Sequence, residues 1–153
     1  MLLALALAAP PLPPASNTRF SHTERTRAPA AAIWALWADV ANWPRWDSAL
    51  QSAELAGPFA VGSHGRVVPF RGVTAEFVLT ALDPGRSYAF RTRLPLGALH
   101  VRRSLHQAGG HTQFTHQVWF TGLSKGLFGW LLGRKYRVLL PQVMAVIKAQ
   151  AEQ

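Results

Sequence analysis

Six consecutive segments with the composition of β-strands constrain the fold more than any other feature of the chain. Their boundaries are 52–59, 65–70, 73–82, 86–94, 98–107 and 112–121. The connections between them are short and carry turn residues, as in Asp83-Pro84-Gly85 and Gly109-Gly110. Because consecutive strands joined by tight turns pair as hairpins, these segments predict an antiparallel meander.

The last hairpin allows its register to be predicted. If Gly109 and Gly110 form a two-residue turn, the pairing is fixed along both strands. The apolar face then holds the pairs Leu99–Phe120, Val101–Val118 and Leu105–Phe114, and the other face holds Arg102–Gln117, Ser104–Thr115 and His106–Gln113. A longer loop would keep these faces if the register moved by two residues. One apolar and one polar face are what a half-buried antiparallel sheet requires.

Helices are predicted before and after the meander. Residues 18–27 form a first strand, and Pro29 fits the first turn of a helix over 31–40. Asn42 is then a good N-cap for a second short helix over 43–50. These two helices follow each other with almost no linker, so their apolar faces must share one surface.

The C-terminal part of the chain predicts one long helix over 125–151, about 40 Å in length. Its apolar stripe recurs at steps of three and four residues and consists of Phe128, Leu132, Tyr136, Leu139, Val143 and Ile147. Gly129 and Gly133, four residues apart, favour a close contact between this helix and the sheet over dimerisation in a membrane.

Charge and composition exclude several classes of site. Sixteen Lys and Arg against seven Asp and Glu give a net charge of +9, but the bases are scattered, so no specific nucleic-acid partner is predicted. The absence of cysteine excludes a disulfide scaffold and a thiolate zinc site. The six histidines lack metal-site spacing, and neither a phosphate loop nor a dinucleotide fingerprint is present. We therefore expect no metal and no cofactor.

The first segment, MLLALALAAPPLPPAS (1–16), is expected to lie outside the fold. Residues 1–9 are apolar but too short to span a bilayer, and Ala6-Leu7-Ala8 resembles a signal-peptidase site. A signal peptide, a disordered leader and a start codon assigned too early all remain open. The expected division is a leader, 1–16, and one domain, 17–153, in a cytoplasmic protein or, with a signal peptide, an exported one.

The order of strand, two short helices, six strands and one long helix resembles the SRPBCC or START-like superfamily. Within it, the chain is most similar to the polyketide cyclase/dehydrase and lipid-transport group. The resemblance spans about 17–151 and is carried by residues 28–55, 82–92, 109–122 and 127–149. It implies an α+β helix-grip fold, in which a curved antiparallel sheet of about seven strands wraps the C-terminal helix and leaves a cavity between them.

In that fold, strand alternation and the helical stripe direct one set of side chains toward the cavity. The predicted ligand-binding residues are Trp46, Phe77, Leu79, Tyr88, Phe90, Val101, Arg103, Phe114, His116, Val118, Phe128, Leu132, Tyr136 and Leu139. Trp37, Trp43 and Trp46 would close one end of the grip, with Trp37 as a core residue and Trp46 either in the core or in the cavity wall.

One pair interrupts the apolar face of the last hairpin, Arg103 opposite His116. An unpaired buried arginine would cost several kcal/mol, so Arg103 must meet a carboxylate, a ligand anion or water. Two interpretations remain. Arg103 extends to the cavity mouth and His116 is a neutral core histidine, or the pair receives the polar end of an apolar ligand. In an enzyme, His116 would carry a proton and Arg103 would stabilise enolate charge.

Two classes of function follow. The first is a non-catalytic module that binds an apolar small molecule or lipid in the cavity. The second is a cyclase or dehydrase-like enzyme that folds its substrate there and moves protons without a metal. A weak peripheral membrane contact through Trp130, Leu131, Arg134 and Lys135 is a third option. The sequence predicts neither the ligand nor the oligomeric state.

Overall fold

The computed structural model describes Leu12 and residues 16–153. Its strands are β1 (Arg19–Thr26), β2 (Leu50–Ala56), β3 (His64–Pro69), β4 (Ala75–Asp83), β5 (Ser87–Leu94), β6 (Gly97–Ala108) and β7 (His111–Gly122). Its helices are α1 (Ala30–Ala38), a 3-10 helix (Val40–Arg45) and α2 (Lys125–Ala151). Except for Leu12 and Ser16, the predicted leader lies outside the described residues.

The seven strands form one antiparallel sheet in the order β1-β7-β6-β5-β4-β3-β2. The long connection from β1 through the short helices to β2 places these two strands at opposite edges of the sheet. Helix α2 packs on one face of the sheet, mainly against β1 and β7. This is the predicted α+β helix-grip fold.

The predicted register of the last hairpin is confirmed. Gly109 and Gly110 both have positive φ, 60° and 76°, as the mirror-image turns of two-residue hairpins require. Ala108 pairs with His111, and the pairing continues without a shift through Arg103 and His116. Arg103 and His116 therefore lie side by side on the face of the sheet that packs against α2.

The second short helix differs from the prediction. It is a 3-10 helix that begins at Val40, and Asn42 lies inside it instead of capping it. The amide of Asn42 donates to the carboxylate of Asp39 at 2.6 Å. The 3-10 period explains the difference, because it aligns residues three apart, so that Val40 and Trp43 are buried on one side.

Helix α2 has the predicted bounds and the predicted close approach to the sheet. A side chain at Gly129 would lie 2.2 Å from the backbone oxygen of Asn17, and one at Gly133 would lie 2.8 Å from the ring of Phe20. The two glycines thus let the helix backbone reach the edge strand β1. Ser124 stands at the N-cap position without a side-chain capping bond.

Tryptophan side chains fill the space between the short helices and the sheet. Trp37, Trp43 and Trp46 are all buried, so each is a core residue. The Trp43 indole N–H donates to the carbonyl oxygen of Trp37 at 2.8 Å, and that of Trp46 donates to Leu36 at 3.3 Å. These bonds satisfy the polar ends of two large rings and fix the 3-10 helix against α1.

Candidate ligand-binding site

A row of polar side chains crosses the inner face of the sheet, the face on which α2 packs. His22 of β1 pairs with His116 of β7, and His116 pairs with Arg103 of β6. Arg103 in turn pairs with Tyr88 of β5. Since directly paired residues of neighbouring strands lie on the same face, the four polar groups lie next to one another on a mainly apolar surface.

The guanidinium of Arg103 is buried among aromatic rings. Its Cζ atom lies 4.8 Å from the ring centroid of Trp43 and 4.9 Å from that of Trp46. The rings of Tyr88 and Phe90 lie 5.6 and 5.3 Å away. These four rings, here called the aromatic cage, each offer a cation–π contact of ~0.5–2 kcal/mol. The cage therefore offsets part of the cost of burying the charge.

Arg103 has few polar partners for a buried cation. One terminal nitrogen donates to the Tyr88 hydroxyl oxygen, and Nε is buried without a partner. None of the ion pairs between described residues includes Arg103. Burial raises the pKa of Tyr88, so the phenol is neutral and its own O–H can still donate.

Asp47 supplies a more distant negative charge. It follows the 3-10 helix, is half-buried and accepts a hydrogen bond of 3.0 Å from the backbone N–H of Ala49. Burial raises the pKa of Asp47, although the Ala49 bond and the charges of Arg103 and Lys135 act against that rise. Burial and, to a smaller extent, the charge of Asp47 raise the pKa of Tyr136 to about 12. The charge of Asp47 therefore acts both on Arg103 in the cage and on Tyr136 of α2.

His116 is a buried neutral imidazole. Its ring centroid lies 5.5 Å from that of Trp37, 6.2 Å from Trp46 and 6.4 Å from Phe114. Burial, assisted by the positive charge of Arg103, holds the pKa of His116 well below its usual value. Its Nε2 atom is buried without a hydrogen-bond partner.

The depressed pKa of His116 predicts a specific dependence of stability on pH. Below pH ~6.5 the unfolded chain takes up a proton at His116 that the folded chain does not, so acid favours unfolding. We expect this residue to remove at most about 1.4 kcal/mol of unfolding free energy per pH unit between pH ~6.5 and ~5. Urea denaturation at several pH values measures the slope.

The variant His116→Leu isolates this contribution. It should flatten the slope of unfolding free energy against pH in that window. His106→Leu, on the outer face of the same hairpin, is the matched control and should leave the slope close to that of the wild type. An unchanged slope in His116→Leu would show that the pKa of His116 does not differ between the folded and unfolded protein.

The other predicted ligand-binding side chains come together in one core. The buried members are Trp46, Phe77, Leu79, Tyr88, Phe90, Val101, Phe114 and Val118, and the partly buried members on α2 are Phe128, Leu132, Tyr136 and Leu139. Many of them pack directly on one another, as shown by the centroid distance of 5.0 Å between Phe77 and Phe90. Their inward orientation is confirmed, while their contact with a ligand stays a prediction.

A groove of about 290 Å³ opens between β1 and α2. Its lining includes Phe20, His22, Tyr136 and Leu140. Of these residues, only Tyr136 belongs to the predicted ligand-binding set. His22 pairs with Glu24 at 2.9 Å and is also the strand partner of His116. The groove therefore meets the outer end of the polar row.

Three contributors to the site do not follow from the sequence predictions. Trp43 is predicted to close one end of the grip, but it is a wall of the aromatic cage. Asp47 lies on a segment that is predicted to be helical, so its direction could not be inferred. His22 alternates with Phe20 along β1, and this alternation could have placed it on the inner face.

The arrangement combines donors and one acceptor in apolar surroundings. Arg103 and Tyr88 can donate to an oxygen atom, and the imidazole of His116 has one nitrogen that accepts and one that donates. Within residues 16–153, no three His, Asp or Glu side chains cluster as a metal ion would require. The geometry suits a carboxylate, carbonyl or enol oxygen on an otherwise apolar molecule.

Solved structures share the fold at low sequence identity. The Zhui aromatase/cyclase from Streptomyces sp. R1128 is 18% identical, with a TM-score of 0.70 over 88% of this chain and 93% of that chain. Norcoclaurine synthase from Thalictrum flavum is 14% identical, with a TM-score of 0.66 over 88% and 87%. A protein from Nitrosomonas europaea is 8% identical, with a TM-score of 0.73 over 93% and 99%.

The match to a protein family is more specific than the similarity to these solved structures. No curated protein matches the chain. The family model described as polyketide cyclase / dehydrase and lipid transport matches residues 17–148. The matched range includes the whole sheet, both short helices and nearly all of α2. The chain therefore belongs to the polyketide cyclase / dehydrase and lipid transport family, in agreement with the resemblance of its sequence.

Proposed function

We propose that the protein binds an apolar small molecule or lipid-like ligand whose polar or acidic end meets Arg103 and His116. The observation that carries this proposal is the pair of buried, unpartnered nitrogens, Arg103 Nε and His116 Nε2, inside an apolar core. A buried polar group without a partner costs ~1–3 kcal/mol, and more when it is charged. A ligand oxygen would supply the missing acceptor for Arg103.

The polar row and the groove support a position for the ligand. The apolar part would lie between the sheet and α2, against Leu132, Tyr136 and Leu140, and would enter past His22. The partly buried side chains of α2 would move to admit it, because the aromatic cage itself is closely packed. Family membership supports this proposal, since lipid transport and polyketide chemistry both concern apolar molecules.

The proposal can be tested with two probes that differ only at the polar end. The full chain is titrated with a fluorescent fatty acid and with the alcohol of the same chain. We expect the acid to bind at least about tenfold more tightly, because one charge-assisted hydrogen bond contributes ~1.5–3 kcal/mol. Native mass spectrometry after incubation with a lipid and metabolite extract identifies the natural ligand. The proposal is wrong if neither probe binds and no compound from the extract is retained.

A second candidate function is catalysis in the same site. The observation that favours it is the neutral, buried imidazole of His116 beside the guanidinium of Arg103. His116 would accept a proton from an activated carbon of a polyketide-like chain, and Arg103 would stabilise the enolate oxygen. His116→Leu distinguishes the two functions. A binding module shows no turnover in the wild type and loses affinity when the His116 contact is removed, whereas an enzyme loses turnover in the variant.

A further inference from the structure

Apolar side chains are exposed at one end of the sheet. The turn between β3 and β4, the turn between β5 and β6, and the connection from β7 to α2 all lie at this end, because the strands between them are antiparallel. Together with the first two turns of α2, these connections expose Phe70, Val73, Leu96, Leu123, Leu127, Trp130 and Leu131. We call these seven residues the apolar end.

A backbone hydrogen bond connects two parts of the apolar end. The backbone N–H of Ser124 donates to the carbonyl oxygen of Leu96 at 3.3 Å, which joins the β5–β6 turn to the start of α2. Leu123 is 90% exposed and Trp130 is 78% exposed. Patches of this kind on a protein surface mark contacts with a partner or a membrane.

The first turns of α2 are apolar on both sides. Phe128 and Leu132 pack toward the sheet, whereas Leu127, Trp130 and Leu131 face outward. A surface helix of a globular protein carries polar residues on its outer side, and a helix that is apolar all round is normally covered. Packing against the sheet therefore does not account for the outer three side chains.

Leu96 adds a second observation. It is the non-glycine residue with positive φ, 57°, among the described residues, and its side chain is exposed at the tip of the turn. A leucine in this backbone conformation is strained, and glycine or asparagine would fit there at lower cost. The positive φ follows from the turn, since Leu94 pairs with Gly97 and the two-residue loop Pro95-Leu96 takes positive φ after the proline. What the turn does not require is an exposed leucine at this position, and that side chain favours an external contact.

The charge around the apolar end identifies the partner. Residues 84–151 contain no Asp or Glu, and the three connections of the apolar end contain none either. Exposed bases accompany the apolar side chains, namely Arg71, Arg93, Lys125 and Arg134. Aromatic and aliphatic side chains ringed by Lys and Arg match the interface of an anionic bilayer, where tryptophan lies at the headgroup level.

We propose that the apolar end docks the protein on the surface of anionic membranes, with the leucines and Trp130 inserted and the bases on the headgroups. No helix in the described residues is long and apolar enough to cross a bilayer. The proposed contact is peripheral, with side chains inserted at the level of the headgroups. It goes beyond the proposed ligand site, because the aromatic cage takes no part in it.

The experiment measures the partition of the full chain onto vesicles of phosphatidylcholine with and without phosphatidylserine. We expect binding to require phosphatidylserine and to weaken with salt. The double variant Leu123→Gln/Trp130→Gln should lower the partition coefficient by about tenfold or more. The independent pair Val73→Gln/Leu96→Asn should lower it as well, because these residues lie on the sheet side of the same surface.

The matched control is Val61→Gln/Val146→Gln, which removes exposed apolar side chains away from the apolar end. It should bind vesicles like the wild type. Emission of Trp130 should shift to the blue on vesicles and be quenched by brominated lipid, and both signals should vanish in Trp130→Gln.

Three results would overturn the proposal. The first is a wild type that does not bind phosphatidylserine vesicles. The second is unchanged binding in both apolar-end variants, which would place the contact elsewhere, as in the segment 1–15. The third is a wild type that sediments as a dimer and variants that sediment as monomers without any vesicle binding, which would make a second copy of the chain the partner.

Discussion

Replacing Trp43 with alanine is expected to lower the free energy of unfolding by about 3–5 kcal/mol. Trp43 is buried, and its ring centroid lies 5.5 Å from that of Phe77 and 5.6 Å from that of Phe90. Its indole N–H also donates a hydrogen bond to the carbonyl oxygen of Trp37. Alanine leaves a cavity, frees this oxygen and removes one ring from the cage around Arg103. Urea denaturation followed by circular dichroism measures the loss.

Two further tryptophan variants test whether loss of buried aromatic packing causes the destabilisation of Trp43→Ala. Trp43→Phe keeps an aromatic ring in the core and should lose less than half as much as alanine. Trp130→Ala removes an exposed ring of the same size and should change the unfolding free energy by no more than about 0.5 kcal/mol. A loss of less than about 1 kcal/mol in Trp43→Ala would mean that the core around the 3-10 helix is loosely packed.

Coupling between Trp43 and Arg103 can be measured in the same assay. In Trp43→Ala the guanidinium of Arg103 loses the ring closest to it. Part of the destabilisation therefore comes from a buried charge that has lost a favourable contact. The double variant Trp43→Ala/Arg103→Met should therefore be less destabilised than the sum of the single variants. Additivity would show that the cation–π contact contributes nothing.

The sheet could be predicted from the sequence because its pattern is local and periodic. Alternation fixes which side chains share a face, and a two-glycine turn fixes which residues face each other. These two rules suffice to predict Arg103 opposite His116, and the strands β6 and β7 have this pairing. The long helix was predictable for the same reason, since a stripe at steps of three and four residues specifies one buried side.

The short helices were harder to predict because several patterns fit the same residues. Asn42 and Pro44 satisfy the rules for an α-helix start, yet burial of Val40 and Trp43 selects a 3-10 helix three residues earlier. That choice depends on tertiary contacts, which no local rule contains. Because Trp43 and Asp47 lie on or directly after this segment, their positions near Arg103 could not be predicted either.

The substitution Arg103→Met is expected to separate binding from stability. Methionine ends where Nε of Arg103 lies, so it keeps an apolar stem among the rings but removes the guanidinium with its charge and the unpartnered Nε. Burial of a charge without a carboxylate partner costs several kcal/mol, and cation–π contacts of ~0.5–2 kcal/mol each offset that cost only in part. The free energy of unfolding should therefore stay level or rise.

Binding should respond in the opposite direction. Loss of a charged hydrogen bond weakens binding of the fatty-acid probe by ~1.5–3 kcal/mol, which is about tenfold to more than a hundredfold in Kd. Binding of the matching alcohol should change much less, because it does not need the charge. Parallel titration of both probes against the wild type and the variant measures this difference.

The adjacent residue Arg102 provides the matched control. It has the same charge and lies on the same strand, but its side chain is exposed on the outer face. Arg102→Met therefore changes the net charge equally while leaving the cage intact, and it should bind both probes like the wild type. If Arg103→Met unfolds the protein, or if it binds the acid unchanged, the guanidinium supports the core and the polar end of the ligand lies elsewhere. A loss of acid binding in Arg103→Met alone, with stability retained, would mean that the buried charge is kept for the ligand and not for the fold.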